Sequence, residues 1–345
     1  MFNSAVIIAN WNGKKYLKDC LDSLAGQSSQ DFKIVFVDNG SNDGSLDFVR
    51  ENYAEKGLIG RMEILSLENN TGFARGYNIG IEKAFEDKNI KYIFAINNDT
   101  RLDKYFVEKM ACCAESHPGT GSIQPKILNF FEPKKIDCLG IVFASDGTAH
   151  NRGYGEMDKG QFDQEEEVFG ANATAALYTR EALETTQQKK GEYFDGNFFA
   201  YYEDTDLAWR LRLAGYAAYS CPKAIVWHVH SATAGKASLF KAYYLHRNYF
   251  FAVFKNLPFG IMIEMLAHRS VSYFRLVLNI FRKEKKAAEY VGNGGKGKVG
   301  LAILKAWGSV LANLPHILEQ RRKIQKSKKV PAKEIRTWLK KFATK

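Results

Sequence analysis

Four short apolar runs, each ending in a polar turn, constrain this chain more than any other feature. The runs lie at 5–9, 33–37 (KIVFV), 62–67 and 92–96 (YIFAI). Between them, apolar residues fall at helical spacing over 17–24, 45–53 and 74–85. This alternation is the signature of a parallel α/β sheet, because parallel neighbours need a long crossover and a helix supplies it. The runs close on Asn10-Trp11-Asn12-Gly13, Asp38-Asn39-Gly40-Ser41, Asn69-Asn70-Thr71-Gly72 and Asn97-Asn98-Asp99-Thr100. Parallel strands place all four clusters on one sheet edge, outside the carboxyl ends, where open α/β folds bind ligands. Clusters so rich in Asn and Asp predict a polar ligand.

Two phosphate-binding signatures are absent: no G-x-G-x-x-G follows the first strand, and there is no G-x-x-x-x-G-K-[ST]. Side chains must then do the holding. A carboxylate at Asp38 suits the N–H of a pyrimidine base, and Asp99 suits a divalent cation set against a diphosphate. A second polar centre lies at Glu203-Asp204-Thr205-Asp206, beside Phe198, Phe199, Tyr201 and Tyr202. Three carboxylates in four residues raise one another's pKa, and burial among aromatics works the same way, which is how a general base is made. The competing reading is an acidic helix N-terminus with Arg210 and Arg212 as intrahelical partners. The small-residue stretch 170–177 (GANATAAL) fits either close approach by a substrate or a tight helix-packing face.

The net charge of +11 is concentrated in the tail: residues 283–345 carry 17 Lys and Arg against 4 Asp and Glu, leaving the rest slightly acidic. Just before it, 257–281 is strongly apolar but interrupted by Glu264, His268, Arg269 and Arg275, and 299–317 is apolar again with Trp307. That pattern suits helices in a membrane interface or packed on the body of the protein, better than a spanning helix. The glycine-rich 292–300 reads as a loop between them. Aromatic residues are too widely spaced in the tail for a nucleic-acid platform, so an anionic membrane surface is favoured and no nucleic-acid partner is expected. Five cysteines without a C-x-x-C spacing argue against a disulfide framework or zinc site, and no signal peptide is expected at the N-terminus.

The turn sequences resemble glycosyltransferase family 2. The resemblance runs through Val6 to Gly13, Val37 to Ser45, Asn69 to Gly80, Asn97-Asn98-Asp99, Phe194-Asp195, the Glu203-Asp204-Thr205-Asp206-Leu207 block and Trp227-His228, in order over roughly residues 5 to 250. Within that family it looks most like the rhamnosyltransferase-like branch. It implies an α/β GT-A fold: a Rossmann-like nucleotide-sugar-binding half (1–100) fused to an acceptor-binding, catalytic half (101–250), with a basic, membrane-associating helical region at 251–345. By the same resemblance Asp38 contacts the base of a UDP- or dTDP-sugar. Asn10, Asn12, Asn39, Gly72, Arg75, Asn78, Asn97 and Asn98 line the nucleotide-sugar pocket. Asp99 and His228 hold Mg²⁺ or Mn²⁺, with His230 close enough to be confused with His228, and Asn97 replaces the first acid of the family's D-x-D metal motif. Asp204 is the catalytic base, supported by Glu203 and Asp206. The implied activity is inverting, metal-dependent transfer of a sugar, with rhamnose a candidate, to a lipid-linked saccharide in cell-surface polysaccharide synthesis. The enzyme would work in the cytoplasm, peripherally at the inner face of the cell membrane, and a homo-oligomer stays open. Arg247, beside Asn248, is placed where an acceptor phosphate could meet it. The rival reading is a catalytically silent sugar-nucleotide binder, for which Asn97 is the sequence argument.

Overall fold

The computed structural model describes residues 3–53, 58–229, 238–281 and 295–344. Strands β1 (Ser4–Asn10), β2 (Phe32–Asp38), β3 (Met62–Ser66) and β4 (Tyr92–Ile96) alternate with helices α1 (Lys14–Ala25), α2 (Ser45–Tyr53) and α3 (Phe73–Phe85). The chain continues through β5 (Thr100–Leu102), α4 (Phe106–Ser116), β6 (Thr120–Asn129), β7 (Ile136–Cys138), β8 (Ile141–Phe143) and β9 (Ala149–Asn151). Then come β10 (Ala175–Thr179), α5 (Arg180–Thr186), α6 (Glu203–Leu213) and β11 (Ala217–His228). Two compact units result, the first formed by 1–141, 151–199 and 203–230, and the second by 142–150, 200–202 and 231–345.

In the first unit the strand order is β3-β2-β1-β4-β10-β6-β11-β5, with β7 on β6. The pairs β1–β2, β2–β3 and β1–β4 are parallel. From β4 onward the order breaks with β10, antiparallel to both β4 and β6. The sheet is therefore mixed rather than wholly parallel, and the alternation read from the sequence ends at β4. The reversal of winding between β1 and β4 makes a topological switch point, and the crevice there is where such sheets receive ligands. One face of the sheet is covered by α1, α2 and α4 through Leu17, Leu21, Val49, Phe106 and Met110. The other is covered by α3, α5 and α6 through Tyr77, Ile81, Leu183, Leu207 and Leu211.

Close packing fixes α3. A Cβ on Gly80 would lie 2.4 Å from Ile7 Cγ2 and 3.2 Å from Val37 Cγ2. Both neighbours are fully buried β-branched residues with little freedom to move. Gly80→Ala should cost about 1–3 kcal/mol by overpacking, despite the better helix propensity of alanine. A lower urea midpoint at unchanged slope checks it. At 170–177, a Cβ on Gly170 would lie 2.3 Å from Ala208 Cβ, so at this glycine the small-residue stretch serves as a helix-packing face for α6.

The second unit is largely helical: α7 (Leu239–Asn256), α8 (Phe259–Phe281), α9 (Gly295–Ala312), α10 (Leu314–Ser327) and α11 (Ala332–Lys341). Ser238 caps α7 by accepting from Lys241 N at 3.1 Å. Asn248 in α7 donates to the carbonyls of Ala200 and Tyr201 at 2.8 and 2.7 Å. Arg247 is buried, its guanidinium over the rings of Tyr244 and Phe251 and its Nε on Asn248, which leaves little of it for an acceptor phosphate. The described part of 292–300, from Gly295, is helix rather than loop. No single described helix is long and apolar enough to cross a membrane. The pair 297–312 and 314–327 passes together by length and composition, bent by 62°.

Candidate active site

The C-terminal ends of β1, β2 and β4 bring the first three site residues together. Asn98 donates to Asn10 Oδ1 at 2.5 Å, and Asn10 donates to Ser41 Oγ at 3.1 Å and to Asp38 Oδ1 at 3.4 Å. This chain of amides spans the switch point between β1 and β4. Gly13 makes room for it, since a Cβ there would fall 1.9 Å from Asn98 Nδ2. Asn12, in the left-handed region at φ 51°, accepts from Asn42 N at 2.8 Å and so ties the first turn to the second. Asp38 is 2% exposed and also accepts from Ser41 N at 3.3 Å. Its carboxylate is held, aimed and partly satisfied, as a base-reading acceptor must be.

Two of the expected pocket residues act as clasps. Asn39 accepts from Thr71 N and Oγ1, both at 2.9 Å, and donates to Gly72 O at 3.0 Å and Asn70 Oδ1 at 3.2 Å. Its side chain is committed to shaping 69–72. Asn78 donates to Phe194 O at 2.7 Å and accepts from Tyr193 N and Phe194 N at 3.1 and 2.8 Å, so all its contacts go to one backbone segment. Gly72, at φ 84°, precedes α3, and a Cβ there would lie 2.6 Å from Phe199 O. That approach lets Phe73 N reach Phe199 O at 2.6 Å. Arg75, one turn into α3, is exposed with its side chain against Gly196. It is placed to meet a charged ligand group.

Asn97, Asp99 and His228 lie on neighbouring segments. Asn97 accepts from Tyr77 OH at 3.2 Å, and its N–H donates to Thr174 O at 2.8 Å. Because β11 pairs with β5, His228 stands opposite Thr100, and its Nε2 comes within 3.4 Å of Asp99 Oδ1. On the other side Nδ1 meets Asp137 Oδ2 at 2.6 Å. Burial opposes a charge on this imidazole, but Asp99 and Asp137 outweigh it and push its pKa up to about 10. The oxygen of Asp99 and the Nε2 of His228 fit a hard or borderline divalent cation, which uses few protein ligands and takes the rest from phosphate and water. Asp137 on Nδ1 fixes the ring so that Nε2 faces Asp99. His230 lies outside the described residues.

The acidic block divides. Asp204 is half-buried, and its carboxylate accepts from Asn172 Nδ2 at 3.0 Å, Ala173 N at 3.4 Å, Thr205 N at 2.6 Å and Thr205 Oγ1 at 3.2 Å. Burial raises its pKa and these donors hold the rise back. Glu203 is 6% exposed, its Oε2 has no hydrogen-bond partner among the described residues, and burial followed by the charge of Asp204 drives its pKa well up. Environment thus sets two adjacent carboxyls apart: burial acts on Glu203 without opposing side-chain donors, while donors on Asp204 hold its rise back. Asp206 is elsewhere: fully buried, it pairs with Arg210 Nε at 2.9 Å, inside the helix and away from Asp204. The intrahelical reading therefore describes Asp206, while Arg212 turns outward from that pattern to Glu167 and the carbonyls of Val168 and Phe169.

Two polar residues of this site escaped the sequence reading. Asn172 sits inside the small-residue stretch, where it looks like a spacer, and Asp137 lies in a three-residue strand too short for any periodicity. Asn172 links the two centres. Its amide holds Asp204, and two residues on, Thr174 O holds Asn97 N.

The model of the family described as "Glycosyl transferase family 2" matches residues 5–186. A teichoic acid poly(glycerol phosphate) polymerase of Staphylococcus epidermidis is 29% identical over 102 residues, covering 30% of this chain and 13% of that protein. This chain thus spans a small part of that relative's length. Among solved structures, S. aureus TarS 1–349 in complex with UDP is similar at TM-score 0.53 and 15% identity, over 95% of this chain and 91% of that one. GalNAc-T7 with UDP, GalNAc and Mn²⁺ is similar at TM-score 0.58 and 14% identity, over 73% of this chain and 48% of that one. The mixed sheet is consistent with the GT-A fold these comparisons share.

Proposed function

Because the chain belongs to glycosyl transferase family 2, we propose that it moves a sugar from a UDP- or dTDP-sugar to a hydroxyl acceptor with inversion at the anomeric carbon. The observation that carries this reading is the 172–174 segment, which fastens the Asp204 carboxylate on one side and the Asn97-Asn98-Asp99 turn on the other. A base and a nucleotide-diphosphate turn held by one segment form the arrangement that single displacement needs.

Asp38 accepts the imide N–H of the pyrimidine, and the Asn10–Asn98 amide chain borders the sugar nucleotide. Arg75 faces the charged donor. Asp204 takes the proton of the acceptor hydroxyl as its oxygen attacks the anomeric carbon. The bond to the diphosphate breaks, its electron pair leaves with the phosphate oxygen, and no covalent enzyme intermediate forms. Asp99 and His228 Nε2 would hold Mg²⁺ or Mn²⁺. When bound, such an ion neutralises charge on the departing diphosphate. The Mn²⁺ and UDP named for the GalNAc-T7 structure, and the UDP of TarS 1–349, support that choice of donor and ion. Free nucleotide measured across a panel of sugar nucleotides, with a lipid-diphosphate-linked saccharide as acceptor, tests the reading. Release is expected with one donor, and loss on EDTA with recovery on Mn²⁺. Binding without release across the panel would favour the silent binder instead.

The rhamnosyl donor rests on the resemblance of the turn sequences alone. A lipid-linked acceptor and a place at the inner face of the cell membrane are supported by the second unit. Phe274, Leu304 and Leu311 are more than 60% exposed there, in a region rich in Lys and Arg. The double variant Leu304→Asp/Leu311→Asp removes two exposed side chains from α9 with little demand on the core. It should reduce flotation with anionic liposomes about tenfold or more, since each apolar group lost from the interface contributes roughly 1 kcal/mol. Unchanged flotation would remove the membrane part of the proposal and leave the chemistry standing.

A further inference from the structure

At the end of α4, two thiols that the sequence separates by more than a hundred residues meet. Cys113 and His117 stand four apart at the end of α4, one turn from each other on one face. Cys221 comes from β11, and Glu165 from the segment before Val168. The sulfurs of Cys113 and Cys221 and a carboxylate oxygen of Glu165 all lie within 4.8 Å of one another. His117 Nε2 is 3.4 Å from Glu165 Oε2, and its ring is stacked on Tyr219 at 3.9 Å, which fixes its direction.

We propose that Cys113, Glu165 and Cys221 form the core of a binding site for a thiophilic divalent cation, with Zn²⁺ the best match. Two sulfurs and one carboxylate oxygen supply three of the four tetrahedral positions of zinc, and water or an inward turn of the His117 ring, now on Glu165, would supply the fourth. The edges of such a tetrahedron run about 3.3–3.8 Å at ordinary zinc–ligand lengths, so the ligands need only small movements to close on the ion. Both thiols are buried, while the side chains of Glu165 and His117 are 37% and 26% exposed, which gives the ion a path in from solvent. Binding releases the protons of both thiols to solvent and leaves two thiolates on the metal. The site ties α4, β11 and the 165 segment together. β11 bulges between Cys221 and Ile225, and the β6 partners of Cys221 and His228, Pro125 and Asn129, are four residues apart, roughly 13 Å of strand, so the site is separate from the Asp99–His228 pair.

The test is anaerobic titration of the reduced full chain with Co²⁺, read by the thiolate-to-cobalt charge-transfer band in the near ultraviolet. One equivalent should generate the band in wild type, in the Asp99→Asn/His228→Ala variant and in Cys112→Ser, and Zn²⁺ should displace it. Cys113→Ser/Cys221→Ser should abolish it. Glu165→Gln, a surface change that spares the fold, should weaken binding about tenfold or more, since even outer partners of metal ligands are worth that much. No band in the reduced wild type would overturn the proposal. So would a band that follows Cys112, or one indifferent to Glu165→Gln and to loss of the buried thiols.

Discussion

Replacing Asp204 by Asn should lower kcat for sugar transfer by about 10²–10⁴-fold, the usual contribution of a positioned general base, while the affinity for the sugar nucleotide stays near wild type. Asn is isosteric and can still accept from Thr205 N, while its amide nitrogen in place of Oδ2 gives up the bonds from Asn172 Nδ2 and Ala173 N. What is lost is the ability to take a proton. The pH profile carries the sharper test. Asp204 is active when ionised, and burial raises its pKa, so activity falls as pH drops through a value above the ordinary carboxylate range. The acid limb of kcat/KM should therefore lie higher than a solvated aspartate would place it. Glu203→Gln provides the contrast. Glu203 is buried with no hydrogen-bond partner on Oε2 among the described residues, and burial drives its pKa well up, so its amide isostere should cost less than about tenfold in kcat. If Glu203→Gln is the dead variant and Asp204→Asn retains turnover, the roles are reversed and the proposed mechanism fails.

The parts of this protein legible in its sequence are those written in local periodicity. The runs at 5–9, 33–37 and 92–96 became β1, β2 and β4, buried between helices, while 62–67 became β3, a partly exposed edge strand. Beyond β4 the sheet is assembled from distant strands of mixed direction, and nothing local announces that β10 inserts between β4 and β6. Site residues divide by the same rule. Asn10, Asp38 and Asn98 follow directly from strand ends. Asn39 and Asn78 share that composition, yet their amides are taken up by backbone that arrives from 70–72 and 193–194, a matter of tertiary approach. Asp137 reaches His228 across 91 residues of sequence, and Cys113 meets Cys221 without any spacing motif to mark it. The acidic block is not separable by sequence, because Glu203, Asp204 and Asp206 differ in what surrounds them and not in what they are.

Arg210→Ala should destabilise the protein by about 3–5 kcal/mol, the usual penalty for removing one partner of a buried ion pair. The pair is almost fully enclosed, with side chains of Arg210 and Asp206 2% and 0% exposed. The guanidinium also donates to Thr186 O at 2.6 Å and Tyr193 O at 2.7 Å, so three acceptors lose their donor at once. Taking the arginine from a carboxylate this deep in the core costs free energy that the folded state alone bears. Chemical denaturation should show the loss as a shift in midpoint, and any fall in activity should track the folded fraction rather than the rate of the folded enzyme. Asp206→Asn should fall in the same class, in contrast to Asp204→Asn, two residues away. Combining Asp206→Leu with Arg210→Met should recover much of the loss, because two apolar groups of similar size leave no buried charge behind, although the carbonyls of Thr186 and Tyr193 stay without their donor. A double variant no more stable than Arg210→Ala alone would mean that those two carbonyls, rather than the charge on Asp206, set the cost.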